Sequence, residues 1–173
     1  MLIYLCPAAI DLIGFLALFA VAYGAGERGM TMAQCAWLAG IFQIVYMFTS
    51  LAAGFALTRR NARMILLAGI ILSVASISGT LLFREFVPLL VAMAFFGVCF
   101  ALVFNSFQTF MRGEAPPGGL IRTVGLYTLA WSGGSSIGII ASGTLYRLGA
   151  PILVLVTVVV GLAVFVILAC HRQ

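Results

Sequence analysis

The chain has 173 residues, is 64% hydrophobic with a mean hydropathy of +1.24, and only 8% of its residues are charged. An average soluble domain is about 45–50% apolar and about 25% charged, so too few polar side chains are present to cover a surface facing water, and a soluble globular protein is excluded. The net charge of +5 comes from arginines, without lysine and without a basic aromatic patch, which excludes a nucleic-acid surface.

Crossing a hydrocarbon core about 30 Å thick takes about 20 apolar residues of helix, and in lipid each segment must satisfy its own backbone amides. Six runs meet that length. The first, about 3–24, carries Asp11. It is too long for a signal peptide and lacks a basic leader, so it is read as a true span. The second, about 32–57, holds Gln43 and Tyr46 and ends in a short basic loop with Arg59, Arg60 and Arg63. The third, about 64–83, has only Ser73, Ser76, Ser78 and Thr80 as polar groups. The fourth, about 87–110, holds Asn105 and Gln108. The fifth, about 124–146, holds Tyr127 and Trp131 and is rich in small residues, among them the close-packing pair Gly134-x-x-x-Gly138. The sixth, about 151–170, is Val, Leu and Ile with one Thr157, and is expected to face lipid all round. Residues 1–173 therefore form a single all-α membrane domain of six transmembrane helices.

Short connections make successive helices antiparallel. With the N-terminus in the cytoplasm, Arg59, Arg60, Arg63, Arg112, Arg122 and Arg172 fall inside and Arg28, Arg84 and Arg147 outside. The positive-inside rule then predicts both termini in the cytoplasm of a plasma membrane, in a bacterium the inner membrane. The cysteines Cys6, Cys35, Cys99 and Cys170 lie far apart with no CxxC pair and read as small apolar packing residues; no metal and no cofactor are expected.

Polar groups in membrane helices turn toward a bundle interior or a wet cavity. Helices 1, 2, 4 and 5 are accordingly expected to line a cavity, and 3 and 6 to be peripheral. Asp11 lies about 13 Å from its end of the first helix, at 1.5 Å per residue. Asn105, Gln108, Tyr127 and Trp131 fall at overlapping depths, so these five side chains form one predicted polar layer. Asp11 could serve as a protonation or cation-binding group, or as a hydrated anchor of helix 1. Asn105 and Gln108 share a face and suit either substrate contact or interhelical hydrogen bonding, worth about 0.6 kcal/mol on average. Tyr127 and Trp131 suit either a cavity wall or an interfacial aromatic belt, and the belt is the expectation for Tyr127. Gly134-Ser135-Ser136-Ile137-Gly138 also spells the Gly-x-Ser-x-Gly of serine hydrolases, but the histidine base would have to be His171, beyond the sixth span.

The arrangement, with a basic loop after helix 2, resembles one half of a major facilitator superfamily transporter. The family's loop signature, Gly-x-x-x-Asp-Arg-x-Gly-Arg-Arg, is matched by Gly54, Arg59 and Arg63, with Thr58, Asn61 and Ala62 in place of Asp, Gly and the first closing base. Its antiporter signature in helix 5 is matched by Gly125, Gly134, Gly138 and Gly143, with Ile139 for Pro and Ser142 for Gly; the arginine such antiporters often carry in helix 4 would fall at Met93. The resemblance implies a half-bundle of two inverted three-helix repeats, a gating loop at Gly54, Arg59 and Arg63, and packing glycines in helix 5. It implies a secondary transporter, not an enzyme, that moves a small-molecule substrate through the lipid bilayer by alternating access against a second six-helix half, either a C-terminal half or another copy, with proton coupling as one option. The competing expectation is a non-transporting six-helix remnant or scaffold that binds a partner half.

Overall fold

The computed structural model describes residues 2–171; Met1 and Gln173 lie outside it, as does Arg172, assigned above to the basic side. After a 3-10 turn (Leu2–Tyr4) come α1 (Cys6–Glu27), α2 (Met32–Ala56), α3 (Ala62–Leu82), α4 (Phe86–Gly113), α5 (Leu120–Tyr146) and α6 (Ala150–Cys170). All six are long and apolar enough to cross a membrane. The helix ends depart from the sequence-based bounds by up to four residues, for local reasons. Gly24 and Gly26 do not stop α1, which runs on to a Schellman cap. There Gly29 takes φ 74°, Gly29 N–H donates to Gly26 O at 3.0 Å, and Met30 N–H donates to Ala25 O at 3.1 Å. Thr31 then opens α2 with a capping box, exchanging hydrogen bonds with Gln34. α5 begins early, at Leu120, directly after Gly118 turns the chain at φ 76°.

Both described chain ends sit on one face of the bundle, here the terminal face, with the α2–α3 and α4–α5 loops; the other three loops lie on the far face. α1 and α4 form the middle, with twelve and fourteen buried residues. α5 lies along α1, α2 lies along α4, and α3 bridges α4 and α6. Exchanging helices 1–3 for helices 4–6 turns the α1–α5 pair into α4–α2 and leaves α3–α6 unchanged. An odd number of spans per repeat reverses the direction of the second triplet, so the repeats are inverted.

Two expectations about the periphery change. α3 buries nine residues, whereas α2 buries three and α5 five, so α2 and α5 are the helices most open at the surface of this unit. α6 does not face lipid all round: Leu153, Thr157, Gly161, Val164 and Leu168 recur every three or four residues and form one buried stripe. Gly161 admits the Val74 side chain of α3. The cysteines also divide, with Cys6 and Cys99 buried and Cys170 exposed.

Backbones approach closely wherever a glycine permits it. A Cβ on Gly134 would run into the carbonyl of Ala8, and one on Gly138 into the carbonyl of Leu12, so one face of α5 rests directly on the α1 main chain. Gly97 of α4 meets the backbone of Phe42 and Tyr46 in α2, and Gly14 of α1 makes room for the Phe100 ring. Phe96, Phe100 and Phe104 stack down α4 with centroids 5.0 and 4.7 Å apart, and Phe42 closes on Phe96 at 4.9 Å.

Gly125 and Gly143, expected to pack like the other two, have open space around them. At about 100° per residue, nine residues from Gly125 to Gly134 bring the chain to the opposite side of the helix, while Gly143 returns to the azimuth of Gly125. They share that outward stripe with the exposed Thr128, Ser132 and Ser136. Gly134→Ala is therefore expected to destabilise the bundle by about 1–3 kcal/mol through overpacking. Gly143→Ala is expected to be neutral or to stabilise by about 0.5–1 kcal/mol through helix propensity. Thermal unfolding of the two purified variants in detergent distinguishes them.

A candidate substrate cavity and its loop

The close α1–α5 contact decides the surroundings of Asp11. Ala8 and Leu12 touch the glycines of α5, and Asp11, one residue before Leu12, is carried into the same seam. It is fully buried. Ser135 and Trp131 of α5 face it, yet neither carboxylate oxygen has a hydrogen-bond partner within 3.5 Å. The Ser135 hydroxyl is engaged elsewhere, donating to Ser132 O at 3.0 Å and to Trp131 O at 3.3 Å on its own helix. An unpartnered buried polar group is costly, and a buried carboxylate without a counter-charge more so.

Of the predicted layer, Trp131 and Tyr127 come near Asp11, whereas Asn105 and Gln108 have other neighbours. Tyr46 of α2 and Tyr127 of α5 lie within electrostatic reach of Asp11. Asn105 of α4 donates to Ser50 Oγ of α2 at 3.0 Å and to Ala101 O at 2.8 Å, so its amide joins α4 to α2. Ser50, beside Thr49 in an otherwise apolar run, carries no sequence signal until its partner on another helix is known. Gln108 is exposed and, with Tyr127, Thr123 and Arg112, lines a cleft of about 110 Å³ between α4 and α5. Tyr127 is not part of an aromatic belt. It is 8% exposed, and its hydroxyl reaches Phe104 O at 3.5 Å, because Tyr127 lies on the buried stripe of α5 with Thr123 and Gly134. Trp131 keeps one side open, at 42% exposure. Gln43, the other cavity candidate of α2, borders a hollow of about 150 Å³ among Leu18 of α1, Phe42 of α2 and Met93 of α4.

The loop after α2 is held by Asn61. Its Oδ1 accepts from Thr58 N–H at 2.7 Å, and its Nδ2 donates to Ala56 O at 2.9 Å, which ties the last turn of α2 to the first of α3. Gly54 has no atom near enough to touch a side chain there. Arg59 and Arg60 are exposed. Arg63 turns inward instead: Nη2 donates to Leu168 O at 3.3 Å, Ala169 O at 2.9 Å and His171 O at 2.9 Å, capping the carbonyl end of α6. Beside it, His171 Nε2 lies 3.1 Å from Glu114 Oε2, joining the ends of α6 and α4. The hydrolase pattern fails on geometry, since Ser136 sits in unbroken helix with its hydroxyl donating to Ser132 O at 2.8 Å.

A family model described as Major Facilitator Superfamily matches residues 3–172. The chain belongs to the major facilitator superfamily. No curated protein matches it. As a member of this superfamily it is a multi-pass membrane protein of a transporter family, and its six helices have the architecture of one superfamily half-bundle.

The Arg63 contacts give a direct check on the loop. Arg63→Gln removes the charged donor from three carbonyls, a loss on the order of 1 kcal/mol at this partly exposed site. The last turn of α6 is then expected to fray, seen as faster hydrogen–deuterium exchange around residues 166–170, while Arg60→Gln leaves that exchange unchanged.

Proposed function

We propose that this chain is the N-terminal half of a secondary active transporter that moves a small solute by alternating access, with Asp11 as its substrate- or proton-binding group. The observation that carries this reading is the buried Asp11 carboxyl group of α1, without a hydrogen bond within 3.5 Å, among Tyr46 of α2 and Tyr127 and Trp131 of α5. Intramembrane acids of this kind mark ion and substrate paths. The outward stripe of α5, with Gly125, Thr128, Ser132, Ser136 and Gly143, supplies the small and hydroxylated surface on which a second six-helix half would pack and slide. Gly54, Arg59 and Arg63 belong to the gating loop in this reading. Arg59 is the member free to latch the second half, while Arg63 fixes the loop to its own bundle. No bond-making chemistry and no cofactor enter, and the partners are the solute, the bilayer and the second half.

Arginine placement supports termini in the cytoplasm of a plasma membrane, the inner membrane if the source is bacterial. Reporter fusions test it: fusions near residues 59 and 116 are expected to be active only with a cytoplasmic reporter, and fusions near residues 29 and 85 only with an external one. For the site, solute uptake and efflux are measured across a panel of small solutes in the protein paired with its second half. Asp11→Asn is expected to lower transport about tenfold, the worth of one charge-assisted contact, or to abolish its dependence on pH. Transport with an unchanged rate and pH profile in that variant would remove Asp11 from the mechanism.

A further inference from the structure

On the far face, a cavity of about 380 Å³ opens between the ends of α1, α3, α5 and α6. Arg28 and Arg84 line it together with Tyr146, and no acidic residue is among its lining. Neither arginine has a carboxylate within ion-pair distance among the described residues, where the one ion pair is His171–Glu114 at the opposite end. Arg28 spends one N–H on Phe83 O, at 3.1 Å, and this bond holds its guanidinium at the cavity; Arg84 is exposed and makes no hydrogen bond among the described residues. Glu27, beside Arg28 in sequence, accepts the Tyr146 hydroxyl at 2.8 Å, and Glu85, beside Arg84, is exposed and outside the lining. The first turn of α6 borders the same space without a side-chain cap and adds the positive end of its dipole. Beneath this rim the wall is Ala20, Val21, Leu81 and Leu153, with Thr80, whose hydroxyl is spent on Ile77 O of its own helix at 2.8 Å.

We propose that this cavity binds a phosphate-bearing anion, with the two guanidiniums as its donors. Arginine forks match phosphate oxygens, and a cationic rim over an apolar floor at the helix ends matches a phospholipid: phosphodiester above, glycerol and first methylenes below. The shared chemistry is the phosphate. An anionic bilayer lipid satisfies both parts of the cavity, and a soluble phosphate satisfies only the rim.

Native mass spectrometry of the purified protein with phosphatidylglycerol, phosphatidylcholine and inorganic phosphate tests the proposal. Wild type is expected to retain phosphatidylglycerol over phosphatidylcholine, and Arg84→Gln to weaken that retention about tenfold. Arg147→Gln, on the same face but outside the lining, serves as the charge control and is expected to bind as wild type. Displacement of the lipid by millimolar phosphate, with the same sensitivity to Arg84→Gln, would make the soluble anion the ligand and keep the site. Equal retention in wild type and Arg84→Gln would overturn the proposal, as would an equal loss in Arg147→Gln, which marks a diffuse charge effect. Arg28→Gln/Arg84→Gln extends the series, with a melting curve confirming that loss of the Phe83 bond has not unfolded the far face.

Discussion

The contact on which the rest of this molecule depends is the one between the α5 glycines and the α1 main chain. Gly134 and Gly138 let two backbones meet at the carbonyls of Ala8 and Leu12. With no hydrophobic drive between helices in lipid, such contact rests on dispersion and on fit. Its by-product is chemical. Asp11 lies between the two touching residues, so the packing that joins the triplets also seals a carboxyl group from both solvent and lipid. A wider α1–α5 separation would leave Asp11 hydrated.

The inverted repeat divides the labour. α1 and α4 are buried on most sides and carry Asp11 and Asn105, whereas α2 and α5 are open and present surface beyond the unit. Clips at the two faces hold the triplets in register, Arg63 at one end and the Tyr146–Glu27 bond at the other, while the His171–Glu114 pair ties α4 to α6 within the second triplet. Such a unit is suited to move as one body, with its adaptable surface turned outward.

Much of this was legible in the sequence, because hydropathy sets spans and rise per residue sets depth. The expectation that Asp11, Asn105, Gln108, Tyr127 and Trp131 share one level comes from counting residues. Azimuth around α5 is legible too. Thr123, Tyr127, Gly134, Gly138 and Ser142 recur at helical spacing, which marks one buried face and puts Gly125 and Gly143 on the other. That periodicity was present but masked by the family's glycine pattern, which groups all four. The same holds for the α6 stripe, hidden because every residue there is apolar or nearly so. The pairing of Asn105 with Ser50 and of Arg63 with the α6 carbonyls was not readable, since nothing local to α2 or α6 names a partner on another helix.

The Arg63 clip has a consequence for how the protein is made. The arginine and the carbonyl of Leu168 are separated by 105 residues. At roughly 5–20 residues per second, a ribosome delivers α3 to the membrane on the order of 5–20 s before α6 arrives to be capped. Throughout that interval Arg63 holds its end of α3 at the headgroups with no protein acceptor. α6 thus closes this six-helix unit from the side that translation left open longest.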